Sequence, residues 1–219
     1  ADYDNTVLIR LSSGRRSMVH IQTEPLDAAV PPALSCTTTP DYMGDQLMFL
    51  TAAMQAVPVG YDHEGQVRWY CLANLSYDLK RLPNGHLLIG TERLVKLPNY
   101  VTGLYEMTMS GKIIKEYKFP GGYHHDHFPL PDGNLLVLTQ DLFGDTVEDK
   151  CILVDKDNGQ ILRTFDYKDL LPQYPIGGSG SQDEHDWFHN NAVWYDPRTN
   201  SMCLSGRHQD IVINVDVST

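Results

Sequence analysis

A tight turn followed by a β-rich run recurs along this chain at a near-constant period. That period constrains the fold more than any other feature. Glu64-Gly65 leads into residues 66–70, Ser110-Gly111 into 112–117, and Asn158-Gly159 into 160–165. The three glycines are 46 and 48 residues apart, and each run alternates before ending in an aromatic. A second series keeps the same step. Leu82-Pro83-Asn84-Gly85 precedes 87–90 and Leu130-Pro131-Asp132-Gly133 precedes 135–138, with 48 residues between the glycines. A looser third copy, residues 195–200, precedes Met202-Cys203-Leu204 and comes late because 166–188 carry an insertion. Asn-Gly and Asp-Gly supply the positive φ that tight hairpins need, so each series marks a hairpin.

With the further runs 104–107 and 152–155, the repeat reads as four short strands in about 47 residues, the size of one propeller blade. The expected class is all-β, a β-propeller of which this chain covers about three blades. A β-sandwich lacks this order of turn and strand at a fixed period. Residues 57–219 are read as the first blades, incomplete, and 1–56 as a lead-in segment or the remnant of an N-terminal β module. At the end of that lead-in, 45–57 is compatible with one short helix. An open propeller leaves unpaired strand edges, so the remaining blades are expected from the same polypeptide or a second chain, a homodimer included.

Composition narrows the partners. A net charge of −11 excludes the basic footprint of a nucleic-acid binder and disfavours an anionic membrane surface. No apolar run is long enough to span a membrane. Cys36, Cys71, Cys151 and Cys203 are widely spaced without a C-x-x-C, and Cys151 and Cys203 read as buried thiols in strands. Trp69, Trp187 and Trp194 read as packing residues, and the acidic run 182–186 as a solvated loop. Serine-hydrolase, P-loop and Rossmann signatures are missing from the sequence.

Histidines gather in two places, His124-His125-Asp126-His127 and 185–191, the second followed by Arg207-His208. In the repeat, His125 stands eight residues before Gly133 and Tyr77 eight before Gly85; His189 falls at nearly the same point of the third copy. Side chains at that point of successive blades converge on the central axis. Three readings are open. The histidines cap turns; or they bind a transition metal, with His125 and His127 on one face of a strand and His124 on the other; or they act with Arg207 on a transferring sulfuryl or phosphoryl group, whose charge spreads over three oxygens.

Residues 187–196 (WFHNNAVWYD) followed by 204–209 (LSGRHQ) resemble the bacterial PAPS-independent arylsulfate sulfotransferases, in which W-x-H-x-N leads through a turn to S-S/G-R-H-Q. His125 before Pro131-Asp132-Gly133 resembles that family's earlier histidine, and residues 62–69 (DHEGQVRW) its first-blade motif. The resemblance spans roughly 57 to 216. It implies a six-bladed propeller preceded by a small β module, and a ping-pong transfer from an aryl sulfate donor to a phenolic acceptor through a sulfohistidine, with no cofactor. It implies that His125, His189 and Arg207 bind the sulfuryl group and that Asn191 adds a polar contact. The sulfated histidine is expected outside this chain, and His208 is not assigned that role. Family members are often exported, to the periplasm in Gram-negative bacteria. Tyr77 and Tyr123 are candidates to line an aryl pocket. The rivals are a non-catalytic binding scaffold and a metal-dependent lactonase or hydrolase.

Overall fold

The computed structural model describes residues 4–37, 44, 46–51, 57–73, 75–96, 100–171 and 184–218. The chain is all-β, folded into antiparallel sheets, none of them closed. β1 (Asp4–Arg10) and β2 (Arg16–Gln22) form a two-stranded hairpin that is exposed along its length. β3 (Met48–Leu50), β4 (Val59–Tyr61) and β5 (Val67–Tyr70) form a second sheet. The third holds β6 (Ser76–Arg81), β7 (Leu87–Gly90), β9 (Tyr100–Met107) and β10 (Ile113–Tyr123), with β8 (Leu94–Lys96) pairing β9 at the side. The fourth is a meander of β11 (His127–Pro129), β12 (Leu135–Thr139), β13 (Lys150–Val154) and β14 (Ile161–Asp166). After a single helical turn, α1 (Tyr167–Leu170), the fifth holds β15 (Asn190–Asp196), β16 (Ser201–Gly206) and β17 (Ile211–Asp216).

Although the sequence of 45–57 is compatible with one short helix, Met48–Leu50 is a strand; residues 45 and 52–56 lie outside the described residues. Phe49 packs edge-on to Trp69 at 5.4 Å, an apolar contact across the sheet that outweighs local helix propensity.

Four of the five glycine turns of the repeat share one geometry. Asp62–Gly65, Leu82–Gly85, Thr108–Gly111 and Leu130–Gly133 each close with the glycine N–H donating to the carbonyl three residues back, at 2.9–3.0 Å. The glycines sit at φ +76°, +85°, +84° and +90°. This is a type I turn followed by a left-handed residue, with Pro83 and Pro131 at the position that wants φ near −65°.

β12 shows how the sheets stack. Strand residues alternate faces, so a strand buried on both sides must be apolar throughout. Leu135 and Val137 pack with Leu88, Val101, Leu104 and Tyr123 of the preceding sheet. Leu136 and Leu138 pack with Trp187, Phe188, Val193, Met202 and Leu204 of the following one. The sheets after the β1–β2 hairpin are thus layered face to face in chain order. Close approach has its own requirement: a Cβ on Gly121 would lie 1.8 Å from the carbonyl oxygen of Gln140. Trp187 is buried as expected, but Trp194 is 63% exposed, its ring edge-on to Phe128 on the outer face of β15. Cys151 is buried, whereas Cys203 is only half-buried.

Candidate functional site

Tyr77, His125 and His189 hold left-handed backbone, at φ +65°, +53° and +53°. Such conformations cost a non-glycine residue about 1–3 kcal/mol and persist only where the surroundings impose them. All three occur where a sheet's first strand begins, and the residue after each histidine is a tether. Asp126 Oδ2 accepts from Val193 N–H of the next sheet at 2.8 Å, and Asp126 Oδ1 meets Lys80 Nζ of the previous one at 2.9 Å. Asn190 is buried; its Nδ2 donates to the Ser205 carbonyl at 2.6 Å and its Oδ1 accepts from Tyr167. The tethers fix the backbone, and the kink turns the preceding side chain toward its counterparts. The Tyr77 and His125 rings lie 5.3 Å apart, as do those of His125 and His189.

The kink also overturns the expected pairing of His125 with His127. Strict alternation fails at a left-handed residue, so His124 and His125 come together, with their Nδ1 atoms 3.0 Å apart. His127 instead turns into the core and meets the Tyr123 hydroxyl at 3.0 Å. His124 is fully buried and its Nε2 lies 3.1 Å from the Thr139 carbonyl oxygen.

Around these rings stand groups that the repeat did not mark. Asp186 Oδ2 is 2.7 Å from His189 Nδ1, and the Asp186 carbonyl accepts from His208 Nδ1 at 2.6 Å. The acidic run is therefore not simply a solvated loop: its last residue is half-buried and serves the site. Glu148, in the loop before β13, accepts from the Tyr100 hydroxyl at 2.9 Å through Oε1. Its Oε2 is buried without a hydrogen-bond partner, 3.1 Å from His189 Nδ1 and 3.9 Å from His125 Nδ1. The His189 and His208 rings are 4.5 Å apart. Arg207 is exposed, with Nη1 3.4 Å from His189 Nε2. Asn191 is exposed and accepts from the Ser205 hydroxyl; no described contact joins it to the histidines.

The environments push the two central histidines apart. Burial, then the nearby His189 and Arg207 charges, hold His125 down at about 4. Burial holds His124 down at about 3. His189 moves the other way, because its hydrogen bond to Asp186 and the Glu148 charge favour the imidazolium. Burial raises Glu148. At neutral pH the cluster thus offers a neutral His125 beside a cation-prone His189 and a guanidinium. Sequence reasoning missed Glu148 and Asp186 because neither falls at a repeat position; the one available signal was Asp186 standing three residues before His189.

Two trios have ligand atoms close enough for a metal ion, His124–His125–Glu148 and Asp186–His189–His208. In the first, both His124 nitrogens already have partners. In the second, His208 Nδ1 already donates to a carbonyl. A cleft of about 230 Å³ beside Thr139, Gln140 and Phe143 contains no histidine.

Residues 33–219 match the family model described as Arylsulfotransferase (ASST). Two curated relatives carry the name Arylsulfate sulfotransferase AssT. One, from Escherichia coli O6:H1, is 22% identical over 69% of this chain and 33% of its own length. The other, from Lelliottia amnigena, is 24% identical over the same shares. The chain therefore spans about a third of the length of the curated relatives it matches. The match over 33–219 takes in every turn of the repeat together with His125, His189 and Arg207, and the chain belongs to the arylsulfotransferase family.

Proposed function

We propose that this chain carries the sulfuryl-stabilising part of an arylsulfate sulfotransferase. It would move a sulfuryl group from an aryl sulfate to a phenol in two steps through a histidine, with no PAPS. The observation that carries this reading is the convergence of His125, His189 and Arg207 from three separate stretches of sequence on one cluster. Arg207 and a protonated His189 present N–H groups to each other, which leaves both to be satisfied by an external anion. A trigonal sulfuryl group in flight, with charge on three oxygens, suits such donors. His189 is the natural proton donor to the departing phenolate, since its hydrogen bond to Asp186 favours the imidazolium. Tyr77, buried and tilted against His125, forms an aromatic wall for the aryl ring.

The face-to-face sheets are, in this reading, successive blades of a propeller completed by further blades that supply the covalent histidine, in an exported protein. That only a third of each relative is matched supports it. Among the described residues no helix is long and apolar enough to cross a membrane.

The test follows nitrophenolate release from 4-nitrophenyl sulfate, with a phenol acceptor and no cofactor, on this chain alone and on the completed protein. Acceptor-dependent release by the completed protein is expected, falling about 100-fold or more in Arg207→Ala and unchanged by EDTA. Absence of transfer in the completed protein with every phenol tried would sink the proposal. Activity abolished by EDTA and restored by zinc would point instead to a metal-dependent hydrolase.

A further inference from the structure

Two contacts decide which ring nitrogen of His125 carries its hydrogen. His124 Nε2 lies 3.1 Å from the Thr139 carbonyl oxygen, which can only accept, so the hydrogen of neutral His124 is on Nε2. His124 Nδ1 is then a lone pair, enclosed in the protein and 3.0 Å from His125 Nδ1. Only a donor satisfies it, so His125 carries a hydrogen on Nδ1. The alternative acceptor for that hydrogen, Glu148 Oε2, is too distant at 3.9 Å. The anchor itself is fixed. The Thr139 hydroxyl donates to the Gly122 carbonyl at 2.7 Å, and Tyr100 packs edge-on to the His124 ring. The left-handed φ of His125 is what allows two consecutive rings to meet this way, 5.2 Å apart and nearly perpendicular.

We propose that His124 is a positioning residue: anchored on Thr139, it holds His125 in the Nδ1–H tautomer, so that His125 meets the substrate with an unprotonated Nε2. This is the less populated tautomer of free histidine in water, so the protein selects it. The resemblance has His125, His189 and Arg207 all bind the sulfuryl group; the tautomer divides that work between them. His189 and Arg207 donate, and His125 accepts. The chemical meaning rests on the sulfotransferase reading. When the acceptor phenol attacks sulfur, its O–H bond breaks as the O–S bond forms and the proton passes to His125 Nε2. The bond from sulfur to its previous carrier breaks, and its electron pair leaves with that carrier.

The measurement is a long-range proton–nitrogen correlation spectrum of the ¹⁵N-histidine-labelled chain near pH 7.5, with His125 assigned by its loss in His125→Gln. A protonated Nδ1 and a pyridine-like Nε2 are expected for His125. His124→Phe keeps the buried ring but removes the acceptor, and His125 is expected to revert to the Nε2–H form. His124→Asn restores an acceptor near the Nδ1 position and should restore the Nδ1–H form. An Nε2–H His125 in the unmodified chain overturns the proposal, however the variants fold. In the completed enzyme, transfer should fall about tenfold or more in His124→Phe and recover to within about threefold in His124→Asn. Equal loss in both variants, with His125 unchanged in its tautomer, would reduce His124 to a packing residue. The expected spectra without any sulfuryl transfer would uphold the tautomer and overturn the enzymatic reading alone.

Discussion

His125 and His189 are the same side chain at the same point of two repeats, yet their neighbours give them opposite proton preferences. His125 is half-buried against other rings and faces positive charge; His189 leans on Asp186 and Glu148. Substituting Asp186→Asn removes the carboxylate charge and leaves His189 only a weaker, neutral acceptor, so its pKa should fall toward or below 6.5. If His189 donates the proton to the leaving phenolate, the alkaline limb of kcat/KM then moves down by about one pH unit, a movement of about 1.4 kcal/mol. A pH–rate profile with an unmoved limb would remove His189 from that role. At this scale the sequence was only partly legible. Tyr77, His125, His189 and Arg207 stood out because repeat phase and local motif mark them. His124 did not, because the strand-alternation rule assumes an extended backbone and His125 is not extended. Glu148 lies in a loop with no period to reveal it.

At the scale of the element, the turns were legible because their chemistry is local. Glycine after a polar residue declares a positive φ, and the five such glycines of the repeat have it. The two kinds of glycine should separate cleanly on substitution. Nothing lies within 4 Å of a Cβ on Gly85, so Gly85→Ala meets only the left-handed backbone and should cost about 1–2 kcal/mol in a urea titration. Gly121→Ala meets the Gln140 carbonyl directly and should cost well over twice as much, or abolish folding. Equal costs would mean that the approach of β10 to β12 is looser than described. The segment 45–57 shows the opposite limit. Met48–Leu50 is too short for a period to declare itself, and pairing with β4 decides its state.

For the molecule as a whole, the histidine rings couple stability to acidity. His124 and His125 titrate at about 3 and about 4 when folded, against 6.5 unfolded. Below pH 6.5 the unfolded chain binds protons that the folded chain refuses. Their stabilising effect is therefore complete above pH 6.5 and is lost as pH falls toward 4. His189 and Glu148, both raised, contribute in the opposite sense: their effect is complete at low pH and is lost on raising it, which offsets part of the change. Stability at pH 5 should fall below that at pH 7.5 by about 2 kcal/mol or more, with a smaller fall in His124→Phe. A stability that is level or rising between pH 7.5 and 5 would contradict the neutral state of these rings.

The kinked positions have an implication for descent. Behind both histidines the backbone is held by a tether one residue downstream, so the residue at the kink is excused from building the sheet that displays it. Tyrosine stands there once and histidine twice, on the same backbone turn. Such a position behaves as a socket: the side chain can be exchanged while the frame is retained. Relatives with altered aryl preference should therefore differ at Tyr77 more readily than at Asp126 or Asn190, and new specificities should be reachable by single changes at the kinks.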